Sequence, residues 1–180
     1  FNSQLSTLNF QLSTFNSQLS TLMIRVGMGY DVHQLVENRD LWLGGIKIEY
    51  EKGLLGHSDA DVLIHAICDA LLGAANMRDI GYHFPDTGKE YENIDSKILL
   101  RKTIVLLKEK GYSIGNIDAT VCAERPKLNP HIPQMQHVLA ECMGIDEDCV
   151  SIKATTTEKL GFVGRKEGIA AYCVALINRK

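Results

Sequence analysis

The chain has 180 residues, of which 45% are hydrophobic and 23% charged, the ordinary balance of a globular protein with one sizeable core. Its formal net charge of -3 excludes a general electrostatic affinity for nucleic acid, so an anionic ligand would have to be held by local groups. No apolar run approaches the roughly twenty residues that a membrane-spanning helix needs.

The first segment, residues 1–22, consists of three near-copies of one heptapeptide and contains no charged residue. Its apolar residues are spaced like a coiled-coil seam, but the residues between them are mostly weak helix formers. The segment lacks the basic start and compact apolar core of a secretory signal. We interpret it as a low-complexity extension, non-native or disordered, upstream of a start at Met23. Residues 23–180 are then expected to form a single domain.

A β-strand is predicted next, because apolar residues alternate with small or polar ones between residues 24 and 33. Side chains two residues apart share one face of a strand, so Asp31 and His33 should project together.

The segment 62–75 predicts a buried helix, because its only polar residues are His65 and Asp69. Ser58 is a candidate N-cap, and Asp61 follows it at the spacing of a capping box. Asp61, His65 and Asp69 would form one polar stripe, which needs partners because unpaired buried polar groups are costly. Asp61 could serve only as a cap. Asp69 could accept a hydrogen bond from His65.

Asp31, His33 and His65 can bring one carboxylate and two imidazoles to one point, a set suited to a divalent metal with an open coordination position. Nitrogen and oxygen ligands favour zinc, with manganese or iron also possible. From these residues alone, a hydrogen-bonded core histidine beside an accidental Asp-x-His pair remains an alternative.

The remaining pattern interleaves strands and helices, which indicates an α/β protein with a single sheet. The predicted elements are a strand over residues 41–50 around a Gly-Gly pair, a loop at 52–58, a long loop at 76–89, a helix at 95–110, a strand at 116–122, a helix at 129–143, and strands at 150–156 and 169–178.

Three loops could carry further chemistry, and each could also be an ordinary turn. The first places the carboxylates of Asp79 and Asp86 near glycines. The second, residues 123–127, offers backbone amides beside two cations. The third, residues 154–161, offers hydroxyls and amides for a phosphate, and its Glu158 could hold a hard cation such as magnesium.

Several motifs stand in order from about Met23 to the C-terminus: Gly27-x-Gly29-Tyr30-Asp31-Val32-His33, His57-Ser58-Asp59-x-Asp61, Phe84-Pro85-Asp86-Thr87, Pro126-Lys127, Pro130-His131-Ile132-Pro133 and Lys153-Ala154-Thr155-Thr156-Thr157-Glu158. Together they resemble the family of 2-C-methyl-D-erythritol 2,4-cyclodiphosphate synthases. The resemblance implies a lyase of the non-mevalonate isoprenoid pathway. It would convert 4-diphosphocytidyl-2-C-methyl-D-erythritol 2-phosphate to the cyclic diphosphate and release CMP.

The same resemblance implies an α/β fold of α+β-like two-layer form, with a single mixed sheet and helices on one side. It implies a homotrimer with sites at subunit interfaces, one zinc-type ion and one magnesium or manganese ion. The net charge and the lack of a long apolar run lead us to expect no nucleic-acid or membrane partner. A bacterial cytoplasmic location is expected, and the five scattered cysteines, which include no Cys-x-x-Cys pair, agree with a reducing compartment.

The resemblance also assigns roles to residues. It makes Asp31, His33 and His65 the zinc ligands, places Glu158 at the second ion, and gives transition-state stabilisation to His57 and Thr156. Substrate contacts would come from Ser58, Asp79, Gly81, Phe84, Asp86, Ala123, Pro126, Lys127, Asn129 and Thr155. Phe162 and Arg165 would line a cavity on the trimer axis that meets isoprenoid diphosphates in some members, although Arg165 could equally form a structural ion pair.

Two other functions remain open on the sequence alone. One is a zinc-dependent nucleotide phosphohydrolase, in which water attacks and the product is linear. The other is a non-enzymatic trimer that binds isoprenoid diphosphates.

Overall fold

The computed structural model describes Thr7, Gln11, Tyr91 and residues 23–85 and 93–179. The site candidate Asp86 and the predicted extension at residues 1–22, Thr7 and Gln11 apart, lie outside the described residues. No helix in the described part of the chain has both the length and the apolar character needed to cross a membrane.

A mixed five-stranded sheet organises the domain, with the strand order β4-β1-β7-β5-β6. Among the strand pairs of the described residues, β5–β6 alone is parallel. The strands are β1 (Met23–Glu37), β4 (Lys52–Leu54), β5 (Tyr112–Cys122), β6 (Val150–Thr155) and β7 (Gly168–Arg179). The alternation that predicted β1 is confirmed, because its odd-numbered residues from Gly27 to Leu35 face the protein interior more than their even-numbered neighbours.

The main helices are α1 (Val62–Ala74), α3 (Ser96–Glu109) and α4 (Ile132–Met143), and two single turns form α2 (Ile80–His83) and α5 (Gly161–Gly164). Helix α1 packs directly on β1 and β7, and α3 packs against α1 and also contacts β5. Ten of the thirteen residues of α1 are buried, which confirms the prediction of a core helix. The expected mixed sheet with helices packed against it is therefore observed.

Several predicted boundaries are wrong. Residues 41–50 form a hairpin rather than one strand, with β2 (Leu41–Leu43) paired to β3 (Ile46–Ile48) as a second, small sheet. Gly44 and Gly45 make the turn with φ values of 61° and 77°, a conformation that favours glycine. The predicted loop at 52–58 begins with strand β4. The helix predicted from residue 129 opens with a 3₁₀ turn, and no side chain caps it.

The face of the sheet opposite α1 is apolar and exposed along β1 and β7. Its exposed side chains are Ile24, Val26, Met28, Tyr30, Val32, Tyr172 and Val174, with exposed fractions from 41% to 63%. Contiguous apolar surface of this kind usually marks a protein–protein contact.

Candidate metal centre and active site

Three ligand-type atoms converge where β1 faces α1. The Oδ2 atom of Asp31 lies 3.0 Å from Nε2 of His33 and 2.9 Å from Nδ1 of His65, and the two nitrogens are 3.2 Å apart. Asp31, His33 and His65 are the one group among the described residues whose arrangement could hold a metal ion. The structure thus brings together the three predicted ligands, including the one that is more than thirty positions away in sequence.

The outer nitrogen of His33 is held by the protein backbone. Its Nδ1 lies 2.7 Å from the carbonyl oxygen of Leu55, which can only accept a hydrogen bond. Nδ1 therefore carries the proton. In a neutral imidazole, the lone pair on Nε2 is then directed at the triad, as a metal ligand requires.

The outer nitrogen of His65 faces two hydroxyls. Its Nε2 lies 3.0 Å from Oγ of Ser96 and 3.2 Å from Oγ of Ser58. This arrangement leaves Nδ1 of His65 on the side of Asp31. Two imidazole nitrogens and one carboxylate oxygen then surround the same point, and a divalent cation fits this donor set.

The protonation equilibria of the triad reflect the close contact between its members. Burial alone would raise the pKa of Asp31, but hydrogen bonds from His33 and His65 outweigh it and hold that pKa well below its usual range. Burial would lower the pKa of His33, but the hydrogen bond and the charge of Asp31 raise it above its ordinary value. Protons and a metal ion would therefore compete for the same atoms.

A cavity of about 250 Å³ opens directly onto the triad. It is lined by seven of the residues predicted for the site, Asp31, His33, His57, Ser58, His65, Gly81 and Phe84, and by neighbours that include Asp69, Ile80 and Tyr91. Asp79 is exposed beside this cavity and caps α2, where its Oδ1 accepts a hydrogen bond from the Tyr82 amide at 2.9 Å.

The loop that carries His57 is held on both sides. The Arg39 guanidinium donates to the carbonyl oxygens of Gly56 and Ser58 at 3.2 and 3.0 Å. The carbonyl of His57 itself accepts from the Asn93 amide at 2.7 Å. These bonds fix the backbone that presents His57 and Ser58 to the cavity.

The other predicted residues lie at the β5–β6 end of the sheet. The amide of Ala123 donates to the carbonyl of Thr155 at 3.0 Å, so the loop after β5 and the loop after β6 are neighbours. Pro126 and Lys127 belong to the first loop, Asn129 begins the 3₁₀ turn that follows it, and Thr156 and Glu158 belong to the second loop. Phe162 and Arg165 follow in and just after α5.

The loop after β6 has an unusual backbone. Glu158 and Lys159 have φ values of 51° and 66°, in the left-handed region that non-glycine residues rarely occupy. Thr156 Oγ1 donates to the Glu158 carboxylate at 2.9 Å. Strained backbone of this kind is common in loops that bind ligands.

The strand register separates this second set from the triad. His33 pairs with Ile169, whose neighbour Ala170 pairs with Cys122, which in turn pairs with Thr155. Neighbouring strands lie about 4.8 Å apart, so the three steps from His33 on β1 to Thr155 on β6 span about 14 Å. Within one chain, the triad and the Thr155 loop therefore lie at the same end of the sheet but do not meet.

The prediction of Ser58 as the N-cap of α1 is wrong, whereas the alternative that Asp61 serves as the cap is confirmed. Asp61, rather than Ser58, is the N-cap of α1, where its carboxylate accepts from the Ile64 amide at 3.1 Å. Asp69 accepts from the Ile80 amide at 2.7 Å, and the alternative that it accepts from His65 is not observed, because the outer nitrogen of His65 points to Ser96 and Ser58.

Two residues beside the triad, Asp59 and Ser96, were not predicted as part of the site. The Ser96 hydroxyl oxygen lies 3.0 Å from Nε2 of His65, and the hydroxyl donates to Oδ1 of Asp59. Asp59 stands inside the His57 motif, so its position offered a signal. Ser96 follows Asp95, the first residue of the helix predicted at 95–110, and nothing in its local sequence connects it to His65.

The comparisons with known proteins agree with this geometry. Residues 24–178 match the YgbB family. The chain belongs to the YgbB family. It is 77% identical over 158 residues to the 2-C-methyl-D-erythritol 2,4-cyclodiphosphate synthase of Bacteroides fragilis, which covers 88% of this chain and 99% of that protein. The synthase of Parabacteroides distasonis is 76% identical, with 88% and 98% covered.

Solved structures are similar over the same region. IspF from Plasmodium falciparum in its CDP complex superposes with a TM-score of 0.77 at 38% identity, over 87% of this chain and 97% of that one. The bifunctional IspDF from Campylobacter jejuni gives a TM-score of 0.85 at 43% identity, over 88% of this chain and 43% of that one. The family predicted from the sequence motifs is confirmed, and with it the expectation of a cyclising lyase.

Proposed function

We propose that this protein converts 4-diphosphocytidyl-2-C-methyl-D-erythritol 2-phosphate to 2-C-methyl-D-erythritol 2,4-cyclodiphosphate and releases CMP. The observation that carries the proposal is the triad of Asp31, His33 and His65 at the floor of a cavity, in a chain of this family. The curated relatives at 72% identity and above carry the name of this synthase.

The reaction needs no nucleophile from the protein, because the 2-phosphate of the substrate attacks its own diphosphate. Phosphoryl transfer depends mainly on positioning and on neutralisation of charge. We assign the triad to one zinc-type ion and Glu158 to one magnesium or manganese ion. When bound, such ions supply the positive charge that a doubled-back anionic substrate requires.

The remaining roles fall to residues around the cavity and near the ends of β5 and β6, where the cytosine would be framed largely by backbone groups. His57 and Ser58 line the cavity beside the triad and contact the methylerythritol phosphate end of the substrate. Asp79 and Gly81 hold the ribose, and Phe84 and Asp86 are assigned as further substrate contacts. Ala123, Pro126, Lys127 and Asn129 frame the cytosine, and Thr155 and Thr156 contact the phosphates. The solved Plasmodium falciparum relative is a complex with CDP, which supports a cytidine site of this kind.

We infer that the working enzyme is a homotrimer with active sites between subunits. The separation of about 14 Å between the triad and the Thr155 loop supports this, because one small substrate reaches both sets more readily if a neighbouring copy supplies one of them. The exposed apolar face of β1 and β7 gives the copies a surface to bury.

An isoprenoid diphosphate at Phe162 and Arg165 stays a prediction. The Arg165 guanidinium donates to both carboxylate oxygens of Glu167 at 2.8 and 2.9 Å. An anionic ligand would have to compete with this ion pair.

Phosphorus NMR tests the proposed reaction. Protein incubated with the cytidine-linked substrate, zinc and magnesium should release CMP and yield one cyclic diphosphate. A linear product with two separate phosphomonoester groups would instead indicate attack by water and a phosphohydrolase. Intact substrate in the presence of both metals would overturn the proposed function.

A further inference from the structure

A second pair of residues stands directly behind the triad. The Ser96 hydroxyl donates to Oδ1 of Asp59 at 2.5 Å, and its oxygen lies 3.0 Å from Nε2 of His65. Ser96 is the first residue of α3 and is fully buried. A continuous chain of polar contacts therefore runs from Asp59 through Ser96 and His65 to Asp31, whose Oδ2 lies 2.9 Å from Nδ1 of His65.

The direction of the protons in this chain follows from what each group can donate. A carboxylate accepts only, so the single hydroxyl proton of Ser96 points at Asp59. A lone pair of the Ser96 oxygen then faces Nε2 of His65, which must supply the proton. Nδ1 of His65 is thereby left to face Asp31 and His33.

Asp59 is itself held in place by the backbone. Its Oδ2 accepts from the Ser96 amide at 2.9 Å and its Oδ1 from the Asp61 amide at 3.1 Å, while its own amide donates to the Ile94 carbonyl. These bonds orient the carboxylate toward the Ser96 hydroxyl. They would persist in a protein that lacked only that hydroxyl, so a purely structural role of Asp59 can be separated from a role in the metal site.

We propose that Ser96 and Asp59 are positioning residues that keep the ring proton of His65 on Nε2 and so present Nδ1 to a divalent cation. The inference rests on the proposed metal site and extends it to two residues that do not touch the ion. A His ligand whose outer N–H is held by an acceptor keeps one ring orientation, and loss of such an acceptor typically weakens metal binding about 10–100-fold.

Zinc affinity and the His65 proton test the proposal together. In zinc-loaded wild-type protein labelled with ¹⁵N-histidine, NMR should show His65 protonated at Nε2, with slow solvent exchange of that proton. In Ser96→Ala the same proton should exchange faster, and chelator competition should show zinc affinity about 10–100-fold lower. Asp59→Asn should also lower zinc affinity. The side-chain amide of Asn can donate to the Ser96 oxygen, so the Ser96 hydroxyl can turn its own proton toward Nε2 of His65.

Thr103→Val is the matched control. Thr103 lies two turns further along α3, is equally buried, and makes no hydrogen bond to the triad among the contacts described. Removal of its hydroxyl should leave zinc affinity unchanged.

The outcomes separate this inference from the proposed function. A His65 ring protonated at Nδ1 in zinc-loaded protein, or zinc affinity in Ser96→Ala within twofold of wild type, would overturn the positioning role alone. Absence of zinc binding in wild type would overturn the metal site and this inference with it. Tight zinc binding without cyclic product would overturn the proposed function and leave the positioning role supported.

Discussion

Gly29 on β1 and Ala66 on α1 meet backbone to backbone, and a Cβ atom added at Gly29 would lie 2.0 Å from the carbonyl oxygen of Ala66. Asp31 is two residues beyond Gly29, and His65 immediately precedes Ala66. The close approach of strand and helix is therefore what brings the ligand atoms of Asp31 and His65 to 2.9 Å.

A methyl group at Gly29 should separate the strand from the helix. Gly29→Ala is expected to lower the free energy of unfolding by about 1–3 kcal/mol, because neither backbone can move without repacking the core. Zinc affinity should fall as well, since His65 moves with α1. Urea unfolding at matched protein concentration and chelator competition measure the two effects.

Gly73→Ala is the control for that substitution. Gly73 also lies in α1, but it is exposed, and a Cβ atom added there would lie 4.0 Å from the carbonyl oxygen of Met28. Alanine there should raise stability by about 0.5–1 kcal/mol through helix propensity. Equal effects of the two substitutions would contradict a role for close packing at Gly29.

Removal of one triad ligand should remove the metal but keep the fold. His65→Ala is expected to abolish stoichiometric zinc in dialysed protein, because two remaining ligands bind a divalent ion weakly. The far-ultraviolet circular dichroism should be unchanged, since α1 stays apolar on its other faces. His137→Ala, at an exposed histidine outside the cavity, should retain the zinc. Retained stoichiometric zinc in His65→Ala would refute the ligand assignment.

Asp61 should matter more for stability than an ordinary helix cap. Its buried carboxylate accepts from the amides of Gly44, Gly45 and Ile64 and so joins the β2–β3 turn to α1. Asp61→Ala leaves buried donors unpaired and should cost more than about 2 kcal/mol. Asp95 is a half-exposed cap of α3 that accepts one backbone hydrogen bond, from the Lys97 amide. Asp95→Ala should therefore cost about 1 kcal/mol. Chemical denaturation compares them, and equal costs would contradict the bridging role of Asp61.

His137 should make stability depend on pH near neutrality. The hydrogen bond to Glu147, at 2.7 Å, and the nearby charges of Glu141 and Glu147 raise the pKa of His137 above its ordinary value. When the pKa of His137 is higher in the folded than in the unfolded protein, its protonation stabilises the fold. This contribution is complete below the pKa of the unfolded state, about 6.5, and disappears as the pH rises through the pKa of the folded state.

His137→Gln should therefore lower the thermal midpoint slightly at about pH 5.5 and leave it unchanged at about pH 9. The comparison requires wild-type and variant melts at both values. A larger loss at the alkaline value would contradict the sign of this linkage.

Local patterns determined much of the site before any contact was known. The alternation along β1 placed Asp31 and His33 on one face, and the apolar run after Asp61 predicted the helix that carries His65. Both predictions succeed because burial imposes a fixed periodicity on each element. The family motifs then identified the family, because they occur in order along nearly the whole domain.

Tertiary structure decided everything that depends on approach between distant segments. The hairpin at Gly44 and Gly45 and the capping role of Asp61 arise together, because the Asp61 carboxylate binds the turn amides. The bond from Ser96 to His65 joins residues 31 positions apart and has no local signature. The register across β1, β7, β5 and β6 likewise places the Thr155 loop three strands from the triad. The sequence by itself thus determined which residues share a face of a strand or helix, since that follows from backbone geometry. Which faces meet, and which outer hydrogen bonds orient the ligands, was decided only when the sheet and its helices packed.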